Sequence, residues 1–323
     1  THIESPSTMF GTTLQYVALR LLGVPVDDEA CVQARTFIIQ EGGGALYTSS
    51  WAKFYLCLLG CMDWRGHNSV PAEMFTMLPN WFPFHPGRMW CHARMVYLPM
   101  AYLYGVRFCH LQNHPNDPLV LALRKELYTQ DYDSIDWVRT RHWVAPMDNY
   151  SPIGAFMTLA QNILAKYESW PIFQPLKRYV RRRGLDFCRA YIEAEDAQTN
   201  FIDIGPVNKV LNLLACFHRN EYSIDNDDAN MTSHMMRVQD YLWLAEDGLK
   251  VKGYNGSQCW DTSFAIQAYH EAGLLVLPQN NNNKESNKTE DDAFAKDVAR
   301  GVWSYLERCQ ILSTEVSQAT PAY

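Results

Sequence analysis

Ser7-Thr8-Met9-Phe10-Gly11-Thr12-Thr13-Leu14-Gln15-Tyr16-Val17-Ala18-Leu19-Arg20-Leu21-Leu22-Gly23 is the stretch from which the fold class follows. Phe10, Leu14, Val17 and Leu21 recur three and four residues apart, which places them on one face of an α-helix. Ser7 can cap the start with a side-chain oxygen, and Gly23 can end it in a left-handed turn. The spacing predicts a helix from Ser7 to Leu22. The same pattern returns around 29–40, 51–62, 92–109, 117–128, 153–168, 174–196, 206–218, 233–245, 260–274 and 291–310. No run alternates convincingly as a half-buried strand would. Pro79, Pro83, Pro86-Gly87, Pro146, Pro171, Gly205-Pro206 and Gly253 punctuate the connections. The expectation is an all-α architecture of helical hairpins, stacked as a bundle, a solenoid or a closed α/α ring. Periodicity does not choose among the three. The segment 279–293, with Asn280 to Asn283 at its centre, is low in complexity and reads as a mobile surface loop.

Hydrophobic residues make up 47% of the 323 and charged residues 20%, the balance of a globular chain long enough for a large core. The net charge of −7 argues against a nucleic-acid partner, because phosphate contacts rest on clustered Lys and Arg. Arg181-Arg182-Arg183 is the local exception and reads as a solvated helix face. Nine cysteines follow no zinc spacing, so no metal is expected and the thiols should be free in a reducing compartment. Cys57 and Cys61, four apart in an apolar stretch, read as core thiols. No apolar run reaches eighteen residues.

Aromatics reach 13%, with ten Trp, and several stand beside Gly, Pro or Ser at segment ends: Trp51, Trp81, Trp90 and Trp260. Core packing accounts for many of them. Rings at helix ends can also line a cavity, and a carbocation in a dry pocket is stabilised by about 0.5–2 kcal/mol per aromatic face.

Three blocks carry a specific resemblance. They are His2-Ile3-Glu4-x-Pro6-Ser7-Thr8-Met9-Phe10-Gly11, His85-Pro86-Gly87-Arg88-Met89-Trp90-Cys91-His92-x-Arg94, and Asp240-Tyr241-Leu242-Trp243-Leu244-Ala245-Glu246-Asp247-Gly248 leading to Gly253-Tyr254-Asn255-Gly256-Ser257-Gln258-x-Trp260-Asp261-Thr262. With Ile204-Gly205-Pro206-Val207-Asn208-Lys209 between the second and third, the chain resembles the oxidosqualene cyclases, from residue 1 to about 275. These enzymes fold 2,3-oxidosqualene into tetracyclic sterol precursors. The resemblance implies two α/α barrels with the cavity between them. Residues 1–275 would form most of the inserted barrel, and 276–323 an Asn-rich loop and a helix leading into the second. It implies no cofactor.

The family's initiating acid is the Asp of an Asp-Cys-Thr-Ala-Glu motif. These 323 residues do not contain it. In the family's order it would follow Tyr323, and the sequence starts at Thr1, not Met, directly inside the first block, so both ends look cut and the chain by itself should be inactive. Asp225-Asn226-Asp227-Asp228 matches the acid pattern of squalene and diterpene cyclases. It lies in a polar stretch, where water-exposed carboxylates keep ordinary acidity, and reads as a chance match.

By resemblance His92 neighbours the catalytic acid and the late cation, and Trp51, Trp90, Tyr254 and Trp260 line the substrate cavity. Trp90 and His92 would stand about 200° apart on an ideal helix. Both can face one cavity only if the backbone is extended there, which Pro86-Gly87 makes feasible. Tyr254 follows Gly253 where cycloartenol-forming members tend to carry Tyr, which favours cycloartenol over lanosterol. The run from Val96 to Phe108, including Tyr97, Leu98, Tyr102 and Leu103, is apolar but too short to span a bilayer. It matches the family's channel and membrane-facing region, which implies one-sided attachment at the cytosolic face of the endoplasmic reticulum or at a lipid droplet. Core burial is the alternative. Glu4 and Arg20 read as structural. Two other functions compete: a non-catalytic helical toroid serving as a binding module, and a protein prenyltransferase β-type subunit. The latter requires an Asp, Cys and His zinc site for which the sequence offers no persuasive residues.

Overall fold

The computed structural model describes residues 6–79, 81–82, 85–171, 174–220, 229–246, 248–253, 258–274 and 290–309. Helices dominate them: α1 (Met9–Leu21), α2 (Glu29–Gln40), α3 (Ser50–Leu59), α4 (Met74–Met77), α5 (Cys91–Gly105), α6 (Pro118–Glu126), α7 (Trp137–Thr140), α8 (Ala155–Ser169), α9 (Gln174–Gln198), α10 (Pro206–Arg219), α11 (Ala229–Val238), α12 (Gln258–Glu271) and α13 (Glu290–Cys309). Among the described residues a single antiparallel pair, β1 (Leu242–Ala245) and β2 (Gly248–Val251), stands between α11 and α12.

Helix α3 separates two hydrophobic cores. Leu56 and Cys57 face the first, with Met9, Tyr16, Ile38, Leu123 and Leu127 from α1, α2 and the end of α6. Phe54 and Leu58, one turn apart on the other face, enter the second with Phe75, Leu98, Leu103, Ile192 and Leu211. Each such aliphatic or aromatic side chain, taken fully out of water, contributes about 1.5–3 kcal/mol. Cys57 and Cys61 are both buried thiols, as their spacing implied. Where α9 crosses α4, a Cβ on Gly184 would stand 2.6 Å from the Ala72 carbonyl, so only glycine permits the approach.

Polar ties join the parts of the first core. The Asp148 carboxylate accepts from the backbone N–H groups of Met9 and Phe10 at 2.9 and 2.7 Å, occupying donors at the start of α1 that no helical carbonyl can reach. Buried Lys53 donates to the carbonyls of Thr140, Arg141 and Trp143 at 2.9, 3.2 and 2.9 Å. Arg20 pairs with Glu126, which also accepts from Tyr16, so Arg20 is structural here.

Several expectations need correction. Thr8, not Ser7, caps α1, its hydroxyl accepting from the Gly11 N–H at 3.1 Å, and the helix closes at Leu21. The buried stripe of α1 runs through Met9, Thr13, Tyr16 and Val17, while Leu21 is exposed. Helix α11 stops at Val238, and Leu242–Ala245 is a strand instead of the expected helical extension. Gly248, at φ 122, supplies the turn that lets Gly248–Val251 pair back on it. Arg182 and Arg183 are solvated, but Arg181 reaches inward and bridges Glu73 and Glu168 at 2.9 and 3.2 Å. The expectations for Asp225–Asp228 and for Asn280–Asn283 fall outside the described residues.

Candidate functional site

Helix α5 carries the centre of the proposed site. His85 Nδ1 accepts from the Gly87 N–H at 3.0 Å, and Arg94 donates to the Gly87 carbonyl at 2.8 Å, so the 85–88 turn is fastened to the start of the helix. Trp90 precedes α5 with an extended backbone, φ −50 and ψ 140. That extension meets the condition set by the spacing. The rings of Trp90 and His92 lie on the same side, centroids 4.6 Å apart and planes tilted by 34°. His92 Nδ1 is 3.3 Å from the Cys91 sulfur. Its Nε2 makes no hydrogen bond among the described residues. Asn208 of α10 donates to the Met95 carbonyl at 2.8 Å and fixes the next turn of α5.

Trp51, in the first turn of α3, meets Tyr97 of α5 at 6.2 Å. Trp260 sits in the first turn of α12 and makes no ring contact with Trp51, Trp90 or Tyr97 among the described residues. Trp90 and Trp260 are 71% and 72% exposed, so these rings face open space. Tyr254 lies outside the described residues.

The expectation of an outward apolar patch at 96–108 is overturned. Leu98, Tyr102, Leu103 and Phe108 are buried in the second core, enclosed by α3, α9 and α10, and only Tyr97 of the four named channel residues is half-exposed. Burial here follows from α5 being apolar around most of its circumference in its last three turns. The surface that is apolar lies elsewhere. No residue of α8 is buried, and Phe156, Met157, Leu159 and Ile163 are exposed along it.

The sequence reading did not foresee a buried charged cluster between α9, α10 and α11. Lys209 donates to His234 Nδ1 at 2.7 Å and to the Phe201 carbonyl at 2.6 Å, and stands 3.5 Å from Asp203. His234 Nε2 donates to Asp196 at 3.3 Å, and Asn212 bridges Glu195, Asp196 and Asp203. Asp196, Asp203 and His234 place ligand atoms within 4.8 Å of one another, close enough for a metal. The Lys209 amine already stands among them, however, and it serves as the internal cation. Burial and the Asp196 charge push the Asp203 carboxyl up to about 7, and burial pushes Glu195 up to about 6. Burial lowers Lys209. One signal was present in the sequence: Asn208, Lys209 and Asn212 interrupt the otherwise apolar face of α10.

Comparison with known proteins bears directly on this arrangement. Residues 1–247 match the model of the squalene-hopene cyclase N-terminal domain. This chain belongs to the oxidosqualene cyclase family. It is 44% identical to a cycloartenol synthase of Dictyostelium discoideum over 273 residues, which cover 84% of this chain and 37% of that protein. It is 43% identical to a lanosterol synthase of Mus musculus over 279 residues, 86% of this chain and 36% of that protein. A lanosterol synthase of Pneumocystis carinii is 39% identical over 310 residues, 96% of this chain and 39% of its own length. The chain thus spans between a third and two fifths of the length of these relatives. Its fold is the all-α toroid of the family's N-terminal domain.

Proposed function

We propose that this chain contributes one wall of a triterpene cyclase cavity that converts 2,3-oxidosqualene to a tetracyclic sterol precursor, with cycloartenol-type closure favoured. The observation that carries the reading is the Trp90–His92 pair. A cation-stabilising ring and an imidazole with a free Nε2 share one side of the chain, on a turn tied down by His85 and Arg94. The reaction is an isomerisation: a proton opens the epoxide, ring bonds form, and a proton leaves the final cation. Trp90, Trp51 and Trp260 supply π-faces to the migrating charge. His92 can hydrogen-bond the proton donor and receive the last proton through Nε2. The Tyr254 phenol would bear on that last step, which is the basis for favouring cycloartenol.

The test is Trp90→Phe and Trp90→Ala in an enzyme carrying this segment together with a proton donor, assayed with 2,3-oxidosqualene by gas chromatography. Phe should preserve the product and Ala should divert or abolish it. Unchanged product in Trp90→Ala would end the reading.

The substrate's insolubility calls for withdrawal from a lipid phase, at the endoplasmic reticulum or a lipid droplet. No described helix is long and apolar enough to cross a membrane. Helix α8 offers the attachment surface instead. Its exposed Phe156, Leu159 and Ile163 are flanked by exposed Trp170, Leu176 and Tyr179, and exposed Arg178, Arg182 and Arg183 follow on α9. Apolar side chains beside basic ones suit the face of an anionic bilayer.

A further inference from the structure

A cleft of about 900 Å³ opens between α8 on one side and the 64–66 turn, the ends of α5 and α6, and α7 on the other. Its lining is cationic in a chain of net charge −7: Arg65, Arg107, Arg124, Arg141 and Lys166 stand against Asp63 and Glu168. Both acids are already engaged. Arg65 holds Asp63 through two hydrogen bonds, at 3.0 and 2.9 Å. Glu168 receives Ser69 at 3.1 Å, the Tyr104 hydroxyl, and Arg107 and Arg181 at 3.2 Å each.

Three cations therefore remain without a carboxylate among the described residues. Arg124 lies 3.8 Å over the Tyr132 ring and donates only to the Gly60 carbonyl. Lys166 stands on the exposed rim. Arg141 is only 8% exposed, and its buried Nε has no hydrogen-bond partner. A guanidinium buried without an anion is destabilising until one arrives. Two guanidinium groups and an ammonium lining one cleft supply the kind of donors a tetrahedral oxyanion accepts, and the volume leaves room for an organic substituent on it.

We propose that this cleft binds a phosphate-bearing group, held by Arg124, Arg141 and Lys166. This site goes beyond the cyclisation reading and does not depend on it. The phosphate has two possible sources. Leu159 lines the cleft and also belongs to the exposed apolar side of α8, so a lipid headgroup could enter from a bilayer. A soluble phosphomonoester or diphosphate could enter from water.

Calorimetric titration of the full-length protein separates them, with inorganic pyrophosphate in one arm and phosphatidylcholine vesicles carrying phosphatidic acid in the other. Arg141→Gln and Lys166→Gln should each weaken binding by about tenfold or more. Arg300→Gln, exposed on α13 and outside the cleft, should leave both pyrophosphate and vesicle binding unchanged. Lys166 is exposed, so its variant stays informative if Arg141→Gln fails to fold by circular dichroism. Pyrophosphate binding lost in the variants supports a soluble source, and vesicle binding alone, lost in the variants, supports the headgroup. The proposal is overturned if neither probe binds, or if Lys166→Gln binds as tightly as the unaltered protein.

Discussion

At the scale of single residues, the buried polar groups have the sharpest consequences. Lys53 joins α3 to the 140–143 turn through three carbonyls. Lys53→Met keeps the stem but leaves those carbonyls without a donor. At about 1–3 kcal/mol for each unsatisfied buried group, a loss of several kcal/mol is expected in urea denaturation. A loss under about 1 kcal/mol would mean that water replaces the amine. Asp203 gives a pH signature. Its carboxyl is held above the ordinary range, near 7 against 3.8, so its contribution to stability is complete below the unfolded value and is lost as pH rises through 7. Asp203→Asn cannot ionise. Its melting temperature should therefore fall less between pH 5 and pH 8 than that of the unaltered chain, in thermal scans monitored by circular dichroism. Equal falls would assign the dependence to other groups.

At the scale of elements, α5 is covered by its neighbours and α8 is exposed along its length. Both are fifteen residues long. Leu98 and Leu103 of α5 are sealed in the second core, so Leu103→Ala should cost about 2–5 kcal/mol of stability and leave no membrane-specific effect. Phe156, Leu159 and Ile163 of α8 are exposed, and replacing all three with Ser should leave the melting temperature nearly unchanged. The same triple variant should lose co-flotation with liposomes, and that loss should be independent of salt if apolar insertion dominates. If it floats as the unaltered chain does, α8 is not the attachment face. The helix α9 makes a different demand. A methyl on Gly184 would collide with the Ala72 backbone, so Gly184→Ala should separate α9 from α4 and destabilise the second core.

At the scale of the whole molecule, the rings proposed to line a cavity are open to solvent. Trp90 and Trp260 are more than two-thirds exposed, and water reaching a carbocation there would quench it before ring closure. The 323-residue chain incubated with 2,3-oxidosqualene should therefore give no tetracyclic product by gas chromatography, above a heat-killed control. Any such product would show that these residues enclose a working cavity. Openness also fits a chain that spans between a third and two fifths of the relatives it matches.

Helical period, turn chemistry and the long ordered motifs were local properties, and the sequence by itself determined what they imply: an all-α chain of helical hairpins, free core thiols, and membership of the oxidosqualene cyclases. Eight residues of extended pairing escaped it, because β1 and β2 are held by backbone bonds across a glycine turn and bury little. The condition on Trp90 and His92 was legible, but only the backbone at Trp90 shows that it is met. Tertiary structure alone decided which apolar helix is covered. A hydropathy pattern records that a surface avoids water, whereas α9 and α10 folding over α5, and nothing described folding over the outer side of α8, fix where each surface goes. Likewise only the fold brings Asp196, Asp203, Lys209 and His234 within hydrogen-bonding reach across 38 residues. The strength of such charges depends on the dry surroundings that packing creates.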